Sequence, residues 1–403
     1  MDGKITARID KGMGIQKPNI LYFGHYGLSE GIGGSARLKN MLDVLRKLEA
    51  DTQLISYLPE KKFKVINKEV SNYLNTTTIC VPSASPKIFK VAALLLIFIF
   101  GLRYIRKRNI IFAHGPNIVY GFPALILAKT FGKPLLIDFT DNRDPATPEF
   151  IYRFILRNSS AVFAVSHYLE EAAKKAGSRN VVHAPGFIDA SAFQHNAAER
   201  KRIREELNIG DNEVAIGYAG AFSPDEGLSF LLRAFKSLSK RHGNIRLVLL
   251  GGRNAPGLDD IPGLINELNI KEKVITISPQ PYELMPAYLS AFDIACSPKI
   301  DCLANRCADP IKVYEYMAVG LPTVASAVSE TTYVIENGFD GFLVKPEDAD
   351  DLAGVLEHVI QNLGSFRELR RKAREKVIDN YTQEVVLKKL EKTLENLLTK
   401  HTK

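Results

Sequence analysis

The sequence predicts an α/β protein built of two doubly wound domains that face one another across a cleft. Three observations point there. Short apolar runs ended by glycine or polar residues alternate with helix-period segments, the rhythm of a parallel sheet covered by helices. A charged tract poor in aromatics, residues 191–211, interrupts that rhythm, which restarts beyond it. The chain has 403 residues, long for one domain at ~100–200 residues each.

The elements follow in order. NILYFGHYG, residues 19–27, is an apolar run ended by glycine, hence a buried strand entering a loop. After the loop LSEGIGGSARL, residues 37–48 carry helical periodicity. Strands are expected at 52–57 and 78–81, then at NIIFAHGP, residues 109–116. A helix over 119–131 leads to KPLLIDFTDNRDP, a strand that ends in polar residues, and AVFAVS and VVHAPG complete the first series. Beyond the charged tract, EVAIGYAGAF, IRLVLLGG, VITISP, FDIACSP, PTVAS and GFLV give six more strands, with a helix over 228–240. An amphipathic helix over 383–398 closes the chain. The expected division is a first domain over 1–198, with the closing segment 383–403 packing back on it, and a second over 199–382. Two such domains place a ligand at the carboxyl ends of their strands.

Composition narrows the class. Hydrophobic residues at 46% and charged residues at 24% are ordinary for a globular protein. Four cysteines, Cys80, Cys296, Cys302 and Cys307, are too few for a disulfide framework and lack paired zinc-ligand spacing, so a reducing compartment and no metal are expected. The net charge of +8 is local: residues 83–110 hold six bases and no acid, which leaves +2 for the rest. Between those bases lies VAALLLIFIFGL, twelve apolar residues at 91–102. A bilayer span needs ~20. Two readings fit the segment 87–108: a buried core helix with a solvated basic end, or an interfacial helix drawn to an anionic membrane surface. Nucleic acid is not expected, because aliphatics rather than stacking aromatics separate the bases.

The stretch ADPIKVYEYMAVGLP, residues 308–322, carries the chemistry. Asp309 as N-cap and Pro310 at the first helical position mark a helix start, and Gly320 with Pro322 marks its end. Lys312 in the first turn opposes the helix dipole unless an anion is near, and free N–H groups at the same end suit a phosphate. Glu315, one turn on, can accept two hydroxyls. Phosphate-seeking and hydroxyl-seeking groups on one helix suit a nucleotide. The bland reading is a surface Lys–Glu pair worth only ~0.2–0.5 kcal/mol.

IKVYEYMAVGLPTVAS resembles the donor-binding helix and following strand of family 4 glycosyltransferases, in the branch with a K-x-x-E-Y-M-A helix. GGSARL, AHGPN, APGFID, GYAGAFSPDEGL and YVIENGFDGFLV resemble further family segments in the same order, over nearly the whole chain. The resemblance implies the glycosyltransferase-B (GT-B) fold of two Rossmann-like domains, and a nucleoside-diphosphate-sugar donor. It implies that Glu315 holds the ribose and that amides before it, Val313 included, meet the diphosphate. His114 would contact the donor sugar, with Gly33 and Gly34 letting backbone approach it. Asp141, with Arg143 and Asp144, is an acceptor-side candidate; a salt bridge shaping that loop explains these residues equally well.

Three positions depart from the family pattern. Cys307 stands where a first glutamate is common, and Ala221 and Glu226 stand where an arginine and a lysine serve the diphosphate. The cations left for a departing diphosphate are Lys312, Arg306 and Lys299. The resemblance implies transfer to an acceptor hydroxyl with retention of configuration and no divalent metal, on a glycan or lipid-linked acceptor. The expected locale is cytoplasmic or the cytoplasmic membrane face. The alternatives are a catalytically impaired sugar-nucleotide-binding or scaffold protein, suggested by the three departures, and a sugar-nucleotide epimerase, disfavoured by the helix.

Overall fold

The computed structural model describes residues 17–24, 33–60, 62–71, 74–82, 87–141, 146–252 and 260–401. It divides into two compact units. Unit 1 comprises Met1–Ala164, Leu169–Ala184 and Leu387–Lys403; unit 2 comprises Val165–Tyr168 and Pro185–Val386.

Unit 1 is an eight-stranded sheet. Its strands are β1 (Asn19–Phe23), β2 (Asp51–Glu60), β3 (Lys64–Ser71), β4 (Leu74–Pro82), β5 (Ile110–His114), β6 (Leu135–Phe139), β7 (Ala161–Ala164) and β8 (Val181–His183). The order is β3-β4-β2-β1-β5-β6-β7-β8, all parallel except β3 against β4. The helices are α1 (Gly33–Lys47), α2 (Lys87–Ile105), α3 (Gly121–Phe131), α4 (Glu149–Asn158) and α5 (His167–Lys175). Right-handed crossovers fix their faces. The steps β4→β5, β5→β6 and β6→β7 run one way across the sheet, so α2, α3 and α4 share a face. The step β1→β2 runs the other way and puts α1 on the opposite face. Strands such as IIFAH and LLIDF are near-continuous apolar runs because both faces are covered.

Unit 2 begins with α6 (Ala197–Glu206), whose N-cap Asn196 accepts from the Ala198 and Glu199 amides. Then come β9 (Val214–Gly220), α7 (Leu228–Ser239), β10 (Ile245–Gly251), α8 (Ile261–Glu267), β11 (Val274–Ile277), α9 (Met285–Ser290) and β12 (Ile294–Ser297). The chain continues through α10 (Leu303–Cys307), α11 (Ile311–Val319), β13 (Thr323–Ser326), α12 (Thr331–Val334), β14 (Phe342–Val344), α13 (Ala349–Gln361), α14 (Arg367–Asn380) and α15 (Gln383–His401). The sheet is parallel, in the order β11-β10-β9-β12-β13-β14. Strand order reverses between β9 and β12, the switch point where open α/β sheets bind ligands. Two cores line the sheet, one around Phe292, Tyr314 and Met317, the other around Phe235, Leu249 and Leu356. Each such fully buried side chain contributes about 1.5–3 kcal/mol.

Several expectations change. The unit boundary falls at Ala184/Pro185 rather than at 198/199. Ile188 and Phe193 join the core of unit 2, the Ile188 N–H donates to Tyr381 O at 3.0 Å, and Arg374 Nη1 donates to Phe193 O at 2.7 Å. The closing helix is shared in sequence: Gln383–Val386 count with unit 2, and Leu387–Lys403 with unit 1, where Lys389 Nζ donates to His183 O at 2.9 Å. The apolar run 91–102 is the middle of a longer helix, α2. Strand β3 was not expected from a sequence rich in lysine; it is an edge, where charges are tolerated. The loop 25–32, Arg143 and Asp144 lie outside the described residues.

Candidate functional site

In unit 2 the sequence-predicted groups gather at the switch point. The turn Pro224–Glu226 after β9 carries Glu226, and Gly227 closes it at φ 68°. Any Cβ there would collide with Pro298 O, the first residue beyond β12, so glycine lets the two loops touch. Lys299 follows, then α10, then α11 with Lys312 and Glu315. Asn305 pins this loop, donating to Asp225 O at 2.7 Å and Ile300 O at 2.9 Å and accepting from Lys299 Nζ at 3.0 Å.

Glu226 has a partner that the sequence did not reveal. It is buried and ion-paired with Lys312 Nζ, and its other oxygen lies 3.8 Å from Lys299 Nζ. Burial alone would raise its carboxyl, but the Lys312 and Lys299 ammoniums outweigh that and hold it at about 2. Lys312 also donates to Tyr218 Oη at 3.1 Å, with Nζ 4.5 Å from that ring's centre. Burial lowers Lys312 from its ordinary value while Glu226 pulls the other way. The position thus supplies an internal carboxylate in place of a further cation. The anion that the place of Lys312 in the first helical turn calls for is already present as Glu226, so a phosphate there shares this lysine with the carboxylate.

Glu315 is buried on α11. Burial pushes its carboxyl up to about 7, against the hydrogen bond from Tyr282 and the charge of Lys312. Tyr282 Oη donates to Glu315 Oε1 at 2.8 Å. Sequence reasoning missed Tyr282; the only signal was a tyrosine in the loop after β11. Tyr316, next to Glu315, locks α11 to β9 by accepting from Ala219 N at 2.9 Å and donating to Ala219 O at 3.2 Å.

Three expectations at this helix are corrected. Asp309 does not cap α11; Pro310 is the N-cap, without a side-chain bond. The Asp309 carboxylate instead accepts from Gly186 N and, at 2.5 Å, from Tyr314 Oη. The Gly186 backbone comes so close that a Cβ would run into Ile311 and this carboxylate. The Val313 N–H, expected to face a diphosphate, donates to Pro310 O at 2.8 Å in a tight first turn. Arg306 is held bidentately by Asp301 at 2.7 and 2.8 Å on the surface, so it does not join the lysines. Cys307 is buried at the end of α10, its carbonyl accepting from Ser166 Oγ at 2.9 Å. Replacing Asp309 by Ala strips two donors of their acceptor. The variant should lose about 1–3 kcal/mol, read from urea unfolding.

In unit 1, His114 ends β5 opposite Asp138 of β6 in register. Its Nδ1 is 3.7 Å from Asp138 Oδ2, and its Nε2 is 3.4 Å from Thr140 Oγ1, which donates to Asp141 Oδ2 at 3.1 Å. His114 and Asp141 are thus linked through Thr140. Asp138 and Thr140 were missed, although LLIDFT puts them at the carboxyl end of a strand. Gly33 and Gly34 are the first two residues of α1, where first-turn amides have no partner inside the helix.

Residues 199–379 match the family described as Glycosyl transferases group 1. The chain is 28% identical over 184 residues to a D-inositol 3-phosphate glycosyltransferase of Mycobacterium sp. (strain KMS), 45% of this chain and 39% of that one. It is 23% identical over 280 residues to a GDP-mannose-dependent alpha-(1-6)-phosphatidylinositol monomannoside mannosyltransferase of Mycolicibacterium smegmatis, 68% of this chain and 66% of that one. With an uncharacterized glycosyltransferase of Methanocaldococcus jannaschii, the match covers 47% of either chain, so the chain spans about half the length of such curated relatives. Among solved structures, sucrose-phosphate synthase from Thermosynechococcus elongatus superposes with a TM-score of 0.76 at 19% identity, covering 95% and 99% of the two chains. The Anabaena protein HepE in complex with UDP superposes with a TM-score of 0.72 at 16% identity, covering 94% and 100%. The fold is GT-B, and residues 199–379 match the model of the group 1 glycosyl transferases.

Proposed function

We propose that this chain, a GT-B protein with a group 1 glycosyltransferase domain, is a retaining glycosyltransferase of the family 4 kind. It moves a sugar from a nucleoside-diphosphate-sugar to an acceptor hydroxyl in polysaccharide, glycolipid or glycan synthesis. The observation that carries this reading is Glu315, a buried carboxyl on α11 with Lys312 one turn before it and Lys299 beside the same Glu226 carboxylate, at the switch point of unit 2. Ionised, Glu315 accepts the ribose hydroxyls, and Lys299 and Lys312 answer the diphosphate. His114 and Asp141 are assigned to the sugar and the acceptor. The acceptor oxygen bonds to the anomeric carbon on the face that the diphosphate leaves, through an oxocarbenium-like state. The carbon–oxygen bond to phosphate breaks, and a diphosphate oxygen takes the acceptor's proton. The two lysines give the departing charge its stabilisation, and no divalent metal enters this reading, as the family resemblance implies. The locale in this reading is cytoplasmic or the cytoplasmic membrane face.

A second reading is favoured by one observation, the Glu226 carboxylate already seated on Lys312: a sugar-nucleotide-binding protein without turnover. A panel of UDP-, GDP- and ADP-sugars separates the two. The expected result is release of one nucleoside diphosphate with one donor. Stabilisation at 100 times the dissociation constant should be about 2.7 kcal/mol. Stabilisation without release selects the second reading. A panel that neither stabilises the protein nor is consumed overturns both.

A further inference from the structure

The outer face of α2, α3 and α4 in unit 1 leaves large apolar side chains in solvent. On α2 they are Leu95, Ile99 and Leu102, spaced i, i+4, i+7 into one stripe, with Leu95 58% exposed. The opposite side of the helix, Ile97, Gly101 and Ile105, is buried, with Gly101 against Leu127 of α3 and Phe23 of β1. Helix α3 packs between α2 and α4 and shows Ile126. On α4, Phe150 is 72% exposed and Phe154 53%, one helical turn apart. That helix is amphipathic in the ordinary sense on its inner side, where Tyr152, Ile155 and Leu156 are buried and Tyr152 meets Phe139 edge-on. Its outer phenylalanines have no such partner in the core.

The charge of this layer is one-sided. Helices α2, α3 and α4 contain six bases and a single acid, Glu149. Arg106 and Lys107 follow α2 directly and are exposed. Among the described residues no helix is long and apolar enough to cross a membrane. Apolar side chains standing out of a cationic surface match one environment, the boundary where anionic headgroups lie above acyl chains. A second copy of the chain fits poorly, since a two-fold contact through this face would set bases against bases.

We propose that the α2–α3–α4 face docks on the surface of a bilayer containing anionic lipid. Leu95, Ile99, Phe150 and Phe154 enter the headgroup boundary, and Arg103, Arg106 and Lys107 answer its charge. The docking is monotopic and reversible. It is independent of the nucleotide reading, because every residue named belongs to unit 1 and α11 belongs to unit 2.

The test is sedimentation of the full chain with two kinds of vesicle. One is phosphatidylcholine alone; the other has a one-third share of phosphatidylglycerol. Wild type should partition onto the anionic vesicles at low salt and detach as salt rises. Each base removed should cost roughly fivefold in partition, so reversing Arg103, Arg106 and Lys107 together abolishes the preference for anionic lipid. Leu95→Ser with Phe150→Ser should weaken binding by at least about tenfold without changing the salt dependence. These positions are exposed, and unchanged circular dichroism certifies the fold of each variant. Wild type left in the supernatant with anionic vesicles at low salt overturns the proposal. So does concentration-dependent dimerisation that Phe150→Ser breaks, with no vesicle binding.

Discussion

Glu226→Gln should lower stability by about 3 kcal/mol, which for a unit of this size lowers the melting midpoint by roughly 6–12 °C. The reason is the company Glu226 keeps. The Lys312 side chain is largely withdrawn from solvent, 14% exposed, and its ammonium is tolerated there because a carboxylate sits against it. A glutamine preserves shape and one acceptor but removes the charge, which leaves a buried cation uncompensated. The pH dependence carries the signature. In wild type, Glu226 is held at about 2 against an ordinary 4.5. Its stabilisation is therefore present above pH 4.5 and is lost as pH falls from there towards 2. In the variant, that acid-side loss disappears. Lys312, now unpaired, is depressed further, so the unfolded chain binds more protons and the variant regains stability as pH rises. A nucleoside diphosphate should rescue the variant more than it stabilises wild type, since its phosphates replace the missing carboxylate. Calorimetry over a pH series, with and without UDP, GDP and ADP, reads all three effects. Equal ligand shifts in both proteins would remove the lysines from the phosphate site.

Glu315→Ala should weaken nucleoside diphosphate binding by about 3 kcal/mol, roughly a hundredfold. Two hydroxyl donations to a carboxylate are at stake, in a buried setting. The wild-type affinity should also depend on pH. With its carboxyl pushed up to about 7, folded Glu315 keeps its proton between pH 4.5 and 7 while the unfolded chain has lost it. Its contribution to stability therefore falls as pH rises through that window and is level above 7. Ribose hydroxyls favour the ionised form, so binding near pH 6.5 should release a proton and tighten as pH rises to 8. Titration calorimetry in two buffers of different ionisation enthalpy counts that proton. The phosphate's own proton, with a pKa near ~6, is subtracted by repeating the measurement on Glu315→Gln. Equal release from both proteins, or unchanged affinity in Glu315→Ala, would take the ribose role away from Glu315.

Much of the architecture was legible in the sequence because parallel sheets buried on both faces announce themselves. IIFAH, LLIDF and IRLVLLG are apolar without alternation, and the helices between them carry their own period. Helix α11 was legible for a similar local reason, since Gly320 and Pro322 stop it and a lysine and a glutamate lie one turn apart. Asp309-Pro310 misled because a cap reading weighs only neighbours. Tyr314 Oη and Gly186 N, the latter over a hundred positions away, offered that carboxylate better donors.

The sequence by itself determined the fold class and the alternation within each unit, and it singled out Lys312 and Glu315 on α11. Those features rest on interactions a few residues long. What only the tertiary structure decided is the state of those residues. Lys312 meets Glu226 across 86 positions, and Glu315 meets Tyr282 across 33. Burial then fixes whether each group holds a proton. Desolvation and long-range ion pairing depend on distances in space, which chain order does not encode.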